Sequence, residues 1–329
     1  MKVAVIGAGI NGLSSAYIIK KEHPEVDVTV FADKFTPNTT SDGAAGYLVP
    51  LDDHGTPRET INTLARSTFQ HINKLLASFD LSATIGLSTV HGYLLFEQEV
   101  HELPDWADVV YNYHVVKKEE LYRFPAAVKS AHSFSTVCIE SAKYIPWLMK
   151  EFMKLGGRLV NKNVNKILEL FHNHDIIVNC AGLGAKQLAD DDEVFPIRGQ
   201  VALVKAPWIK EFYCYYEADA CRLILPTQEF VVLGGTFGEN DYNTLIDLCD
   251  KEKIMKSTQE IIPSLKHAEF VRDWVGLRPG RKGIRLEVQE CNNGKKIIHN
   301  YGHTASGITL HWGCAEVVLT LFEKILKES

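Results

Sequence analysis

The sequence predicts an α/β chain in which a unit built on a parallel sheet is interleaved with a second domain built on a mixed or antiparallel sheet. Three observations predict it. The chain opens on strand, glycine-rich turn, helix and strand, the pattern of a βαβ unit. From about Phe195 onward, apolar β-branched runs follow one another with little helical periodicity between them. No proline-, glycine- or serine-rich linker separates the two patterns, so the domains alternate along the chain.

Residues 2–6 are short, apolar, β-branched and ended by glycine, as a buried parallel strand is. Residues 12–21 read as a helix and 26–31 as a second strand. The polar, threonine-rich stretch 35–46 reads as a functional loop. Residues 56–79 carry helical periodicity and 92–96 read as a strand. A helix over 147–155 stops at Gly156-Gly157. The apolar run 175–180 is a strand that leads into the tight turn Ala181-Gly182-Leu183-Gly184. Strands are expected at 201–205, 230–234 and 269–276, and a closing helix over 307–326. This places one domain at 1–50, 140–195 and 276–329, and the other at 51–139 and 196–275.

The chain has 329 residues, 46% of them hydrophobic and 23% charged, which excludes a disordered chain and allows a substantial core. A net charge of −6 argues against a nucleic acid or an anionic membrane as main partner. It leaves room for a local basic pocket. No apolar run reaches the length of a membrane span, and the N-terminus reads as strand and helix rather than a signal peptide. The seven cysteines (Cys138, Cys180, Cys214, Cys221, Cys249, Cys291 and Cys314) are odd in number and irregular in spacing. They read as reduced thiols of an intracellular protein. His172 with His174, and His299 with His303, have spacings compatible with metal binding, but no carboxylate or cysteine cluster accompanies them, so no metal is expected.

The strongest local motif is Gly7-Ala8-Gly9-Ile10-Asn11-Gly12, set between a strand and a helix. The first glycine permits the tight turn, the second admits a pyrophosphate to the backbone, and the third lets helix and strand pack closely. The helix N-terminus offers free N–H groups and the positive end of its dipole. Asp33 stands 21 residues after Gly12, where an acidic residue accepts ribose hydroxyls. This is a Rossmann-type dinucleotide fingerprint. By itself it fits FAD and NAD alike, and hence an NAD-dependent dehydrogenase.

From Asp33 through Gly46 the sequence resembles the D-amino acid oxidase and D-aspartate oxidase family. Two further stretches carry the same resemblance. One is Val275-Gly276-Leu277-Arg278-Pro279 with Ile284-Arg285-Leu286; the other is Ile297-Ile298-His299-Asn300-Tyr301-Gly302-His303, continuing to His311-Trp312-Gly313. The likeness spans residues 2 to about 325. It implies a non-covalent FAD held by Gly7, Ala8, Gly9, Ile10, Gly12, Asp33, Lys34, Thr39, Thr40, Ser41, Ala45, Gly46 and Val164. It also implies that Thr304, Ala305, Ser306, Gly307, Ile308 and Thr309 close over the flavin, with Arg285 nearby to stabilise the reduced ring. Thr304 departs from the family pattern, which has a small residue there; a β-branched side chain restricts the backbone where it approaches the cofactor.

Arg278 matches the family's carboxylate-binding arginine, a role suited to a planar, permanently charged guanidinium. The carbonyl of Ala305 matches the amine site. The resemblance implies oxidative deamination of a D-amino acid by O2, giving a 2-oxo acid, ammonia and hydrogen peroxide, with no residue acting as acid or base when the amine binds neutral.

The lid between Ala206-Pro207-Trp208 and Pro226, together with Asn179-Cys180 to Gly184, Val194 to Gln200 and Leu48-Val49-Pro50, is more similar to the aspartate enzymes, so D-aspartate and D-glutamate are favoured. A side-chain carboxylate needs a second cation. The family's arginine falls near Cys214 to Tyr216, none of them cationic, and Arg222 is the candidate to act from a shifted position. The lid tyrosine aligns with Leu223, and Tyr215 or Tyr216 is the candidate for its hydroxyl. Glu217 and Asp219, if directed inward, would favour a basic or neutral substrate. An oxidase of neutral or basic D-amino acids, an N-methyl amino acid oxidase and an inactive flavin-binding relative are the alternatives. A homo-oligomer is compatible with the sequence. The ending Lys327-Glu328-Ser329 is no peroxisomal tripeptide, so the sequence reads as cytoplasmic, whereas peroxide-forming family chemistry points to the peroxisome.

Overall fold

Strand β1 (Lys2–Ile6) is apolar and β-branched, and all but its first residue is buried. It feeds helix α1 (Ile10–Glu22) and returns as β2 (Asp27–Ala32), parallel to β1. This computed structural model describes residues 1–50, 55–78, 81–82, 84–216, 221–291 and 294–328. Helix α2 (Arg58–Leu76) buries Ile61, Leu64, Ala65, Phe69 and Ile72, a stripe at helical spacing. Strands β3 (Leu87–Phe96), β4 (Tyr111–Val115) and β5 (Ser130–Ile139) follow, then α3 (Ser141–Lys154) and β6 (Arg158–Asn161). Helix α3 begins earlier than its periodicity suggested and stops at Gly156, whose φ of 87° only glycine adopts freely.

Strand β7 (Ile176–Asn179) and the short helix α4 (Ala185–Leu188) lead into β8 (Phe195–Lys205), β9 (Glu211–Tyr216), β10 (Cys221–Pro226), β11 (Val231–Gly234) and β12 (Gly238–Glu239). Helix α5 (Leu248–Ile261) corrects the expectation of strands with little helix between them. Asp247 caps it by accepting from the amides of Cys249 and Asp250. Strands β13 (Glu269–Gly280), β14 (Arg285–Glu290) and β15 (Lys296–Tyr301) precede the final helix α6 (Gly307–Glu328).

The described strands form two sheets. The first has the order β14-β15-β7-β1-β2-β6 and is parallel except for β14. The second runs β12-β8-β11-β10-β9-β3-β5-β4, with β13 paired along the whole of β8. It is antiparallel except where β3 lies parallel to β9. The expected α/β class with a parallel and a mixed sheet is therefore what forms. Helices α1 and α6 and Phe152 of α3 cover one face of the first sheet. Ile10, Leu13, Ile308 and Leu310 reach across to Phe134, Phe212 and Leu223 of the second sheet, so one core joins both. Among the described residues, no helix is long and apolar enough to cross a membrane.

Four histidines are held neutral by burial. It pushes the imidazole of His71 down to about 3 and those of His299, His303 and His311 to about 4. His311 donates from Nδ1 to the carbonyl of Ile308 and lies 3.3 Å from the Tyr144 hydroxyl. In the unfolded chain these rings protonate near 6.5, so below that value the unfolded state binds more protons. Stability is complete above about pH 6.5 and falls as pH drops toward 4. The expected result is a melting temperature that declines by several degrees or more from pH 7 to pH 4.5; a flat profile over that interval would refute it.

Candidate active site

A cavity of about 580 Å³ opens at the carboxyl ends of β1, β2, β7 and β15 and runs under one face of the second sheet. That is where a doubly wound sheet places its ligand crevice. At one end stands the glycine turn. Gly7 has φ 100°, and a Cβ there would lie 2.3 Å from the carbonyl oxygen of Cys180. A Cβ at Gly12 would lie 2.0 Å from the oxygen of Gly7. Gly9 is the extended N-cap residue just before α1 and has no side chain to cap it, and the first-turn residues Ile10, Asn11 and Gly12 line the cavity. Ser41 ties the loop to this turn by accepting from the amide of Ile10 at 3.1 Å. Asp33 and Lys34 line the same end, as do Thr39, Thr40, Ala45 and Gly46. The Thr39 hydroxyl is engaged within the loop, donating to Asp42 at 2.6 Å.

At the other end Arg278 enters from β13, flanked by Leu277 and Pro279. One N–H donates to the carbonyl of Thr236 at 3.1 Å. Burial pushes the guanidinium down to about 10, so it stays cationic at neutral pH, and among the described residues no carboxylate lies within ion-pair distance. A Cβ at Gly199 would fall 2.4 to 2.6 Å from Nη1, Nη2 and Cζ, so the glycine leaves one face of the guanidinium against bare backbone. A Gly199→Ala variant is expected to displace Arg278 and raise the KM for an amino acid about tenfold or more while flavin content stays normal. An unchanged KM would show that the guanidinium does not need that space. Tyr216 of β9 and Cys221 and Leu223 of β10 line the wall nearby.

The family model described as FAD dependent oxidoreductase, DAO, matches residues 2–321. The chain belongs to this FAD-dependent oxidoreductase family. It is 39% identical to D-aspartate oxidase of Homo sapiens over 95% of this chain and 92% of that relative. It is 38% identical to D-amino acid oxidase of Dugesia ryukyuensis over 99% of this chain and 98% of that relative. Among solved structures, glycine oxidase from Geobacillus kaustophilus superposes with a TM-score of 0.82 at 19% identity, over 98% of this chain and 94% of that one, which shows the shared fold.

Membership fixes the cofactor as FAD and sets aside the NAD-dependent dehydrogenase. The cavity fits that cofactor. Its volume is within the roughly 300–1,000 Å³ of ligand sites. The Oδ1 atoms of Asn11 and Asn300, Nε2 of His303 and Oγ1 of Thr304 are buried at its lining without a hydrogen-bond partner among the described residues. Buried polar atoms are normally satisfied, so these are sites a polar ligand completes. Thr304 adopts φ 49°, the left-handed region that a β-branched residue avoids, which gives its departure from the family pattern a physical cost.

Most of the expected cofactor residues line the cavity: Gly7, Ala8, Gly9, Ile10, Gly12, Asp33, Lys34, Thr39, Thr40, Ser41, Ala45, Gly46, Thr304, Ala305, Gly307, Ile308 and Thr309. Three do not. Val164 packs beside Ile167 and Phe171 behind the first sheet. Ser306 is fully buried outside the lining. Arg285 lies on β14, where it donates to Glu287 at 2.8 Å and to the hydroxyl of Tyr301 at 2.8 Å. Among the described residues, its hydrogen bond to the cavity lining is the one to Tyr301.

Two lid expectations are also corrected. Arg222 lies on the opposite face of β10 from Cys221 and Leu223, because strand side chains alternate. It pairs with Glu260 of α5 at 2.8 Å. Cys214 and Cys221 are joined as a disulfide across β9 and β10, not two reduced thiols. Tyr215 faces away from the cavity and donates to Glu97, while Tyr216 faces it. Glu217 and Asp219 lie outside the described residues. Tyr47, Phe237, Trp274 and Asn300 also line the site. Sequence reasoning gave them no role; Trp274 adjoins the second family motif and Asn300 lies inside the third, whereas Phe237 carried no signal.

Proposed function

We propose that this chain oxidatively deaminates D-amino acids, giving a 2-oxo acid, ammonia and hydrogen peroxide. The observation that carries the reading is the half-buried guanidinium of Arg278, without a carboxylate partner among the described residues, in the same cavity as the glycine turn. Such a group awaits an anion, because a charge withdrawn from water and left unpaired is costly. The first sheet serves the cofactor and the second the substrate. Arg278 holds the α-carboxylate by two parallel N–H donors, and the carbonyl of Ala305 accepts from the α-amine. That accepting bond favours a fixed amine orientation, and no side chain here has to remove its proton when it binds neutral. When bound, FAD supplies the acceptor for the hydride from Cα and passes the electrons to O2. Water then replaces nitrogen on the imino acid.

Among the described residues, the side-chain wall is formed by Tyr216, Cys221, Leu223, Phe237 and Trp274, none of them charged at neutral pH. With Arg222 engaged by Glu260 on the other face, this wall supports D-amino acids with uncharged side chains. The second reading, an acidic preference for D-aspartate and D-glutamate, is favoured by the 39% identity to human D-aspartate oxidase. The test mixes the yellow holoenzyme with D-Ala, D-Phe, D-Asp, D-Glu, D-Arg and sarcosine without oxygen and follows bleaching of the flavin band. Fastest bleaching by D-Ala or D-Phe is expected. Fastest bleaching by D-Asp or D-Glu would establish the second reading, bleaching by sarcosine alone would replace both with an N-methyl amino acid oxidase, and none at all would refute the oxidase assignment.

A further inference from the structure

We propose that Phe237 is a positioning residue for Arg278, its ring holding the guanidinium in the plane that meets a substrate carboxylate. The proposal rests on the reading that Arg278 binds that carboxylate. The Cζ of Arg278 lies 4.3 Å from the centroid of the Phe237 ring, within the distance at which a cation and an aromatic face attract. The same guanidinium also lies over Gly199, where a Cβ would be almost equidistant from Nη1, Nη2 and Cζ. The cation thus has a glycine backbone and a phenyl ring as close neighbours, and its N–H groups donate from its edges. One edge N–H goes to the carbonyl of Thr236. The others are directed in the plane where a carboxylate makes two parallel bonds.

The ring itself is 53% exposed although it lines the cavity, so burial of apolar surface does not explain its position. Its backbone is fixed on both sides. The Thr236 hydroxyl accepts from the amide of Gln200 at 2.9 Å, and Gly238–Glu239 pair with β8 directly after it. A ring carried on that tether is a cover over Arg278 at the mouth of the site, and removing water from one side of an ion pair strengthens it. Without the ring, the guanidinium gains freedom that substrate binding must again remove. The loss is in binding shared by ground and transition states, so KM changes and kcat does not.

The experiment uses holoenzymes carrying Phe237→Ala, Phe237→Leu and Phe237→Tyr, each checked for flavin content. KM and kcat are measured for the best D-amino acid. The Kd of 2-aminoisobutyrate, an amino acid with no Cα–H to oxidise, is read from its perturbation of the flavin band. F237A and F237L are expected to raise KM and Kd about tenfold with kcat within about twofold, and F237Y to restore the wild-type values. Leucine keeps apolar cover without a π face, so an F237L enzyme equal to wild type would overturn the proposal, as would a fall in kcat with KM and Kd unchanged. If the Phe237 variants are all silent while Arg278→Met abolishes 2-aminoisobutyrate binding, this inference fails and the site reading stands; if no D-amino acid reduces the wild-type flavin, both fail.

Discussion

Replacing Arg278 by Met raises the KM for every oxidised D-amino acid by about two to three orders of magnitude and leaves the flavin bound. Removing one member of a buried, hydrogen-bonded charge pair costs about 2–5 kcal/mol, and each factor of ten corresponds to about 1.4 kcal/mol. The residue is suited to this test because its burial is not used for internal pairing. Its only protein hydrogen bond among those described runs to the Thr236 carbonyl, so Met leaves no buried acid behind. Lysine at the same position is expected to recover only part of the loss, since an ammonium cannot form the planar two-bond fork. The check is steady-state kinetics together with the visible spectrum. An R278M enzyme with wild-type KM and a full flavin band would remove Arg278 from the substrate site.

A Gly12→Val enzyme is expected to fold poorly and to be colourless. The Cβ alone would lie 2.0 Å from the carbonyl oxygen of Gly7, and the obstructing atom is backbone, which cannot turn aside. Helix α1 would have to move off β1, taking the first-turn amides away from the phosphate position. Overpacking of this kind costs typically 1–3 kcal/mol where side chains can yield, and more where they cannot. Gly9→Ala is the graded comparison: its Cβ meets only the Ser41 hydroxyl at 3.0 Å, a side chain that can turn. Flavin content after purification and the Kd for added FAD should therefore rank wild type, G9A and G12V in that order of affinity. A G12V protein that retains FAD would mean that the close approach of helix and strand is dispensable.

The N-terminal unit was legible because independent signals coincide there: a β-branched strand, three spaced glycines, a helix and an acid at the second strand end. Strand β5 was not, since it buries Ser130, His132, Ser133 and Thr136, and polar residues inside a sheet defeat an apolar pattern. Helix α5 was missed because its inward stripe is thin, Ile254, Thr258 and Ile261, although Asp247 marks its start. At the site, Arg278 could be read from its motif. Arg222 shows the limit of neighbour arguments, because a shift of one residue on a strand reverses the face. Phe237 stood between a threonine and a glycine with no pattern around it. Only the crossing of β13 with the segment after β11 brings it over the guanidinium.

The order of strands in the first sheet has a consequence for synthesis. Strand β1 and its glycine turn emerge first, yet β1 is flanked by β2 and by β7, and β7 is flanked in turn by β15. Helix α6 then seals the assembly, with Trp312 stacked on His71 at 3.4 Å and packed near Tyr17. Until residues 296–328 have left the ribosome, the fingerprint has only part of its walls. The walls of the cavity are therefore completed only by the last residues synthesised, and a chain interrupted before β15 leaves the apolar face of α1 without the helix that covers it.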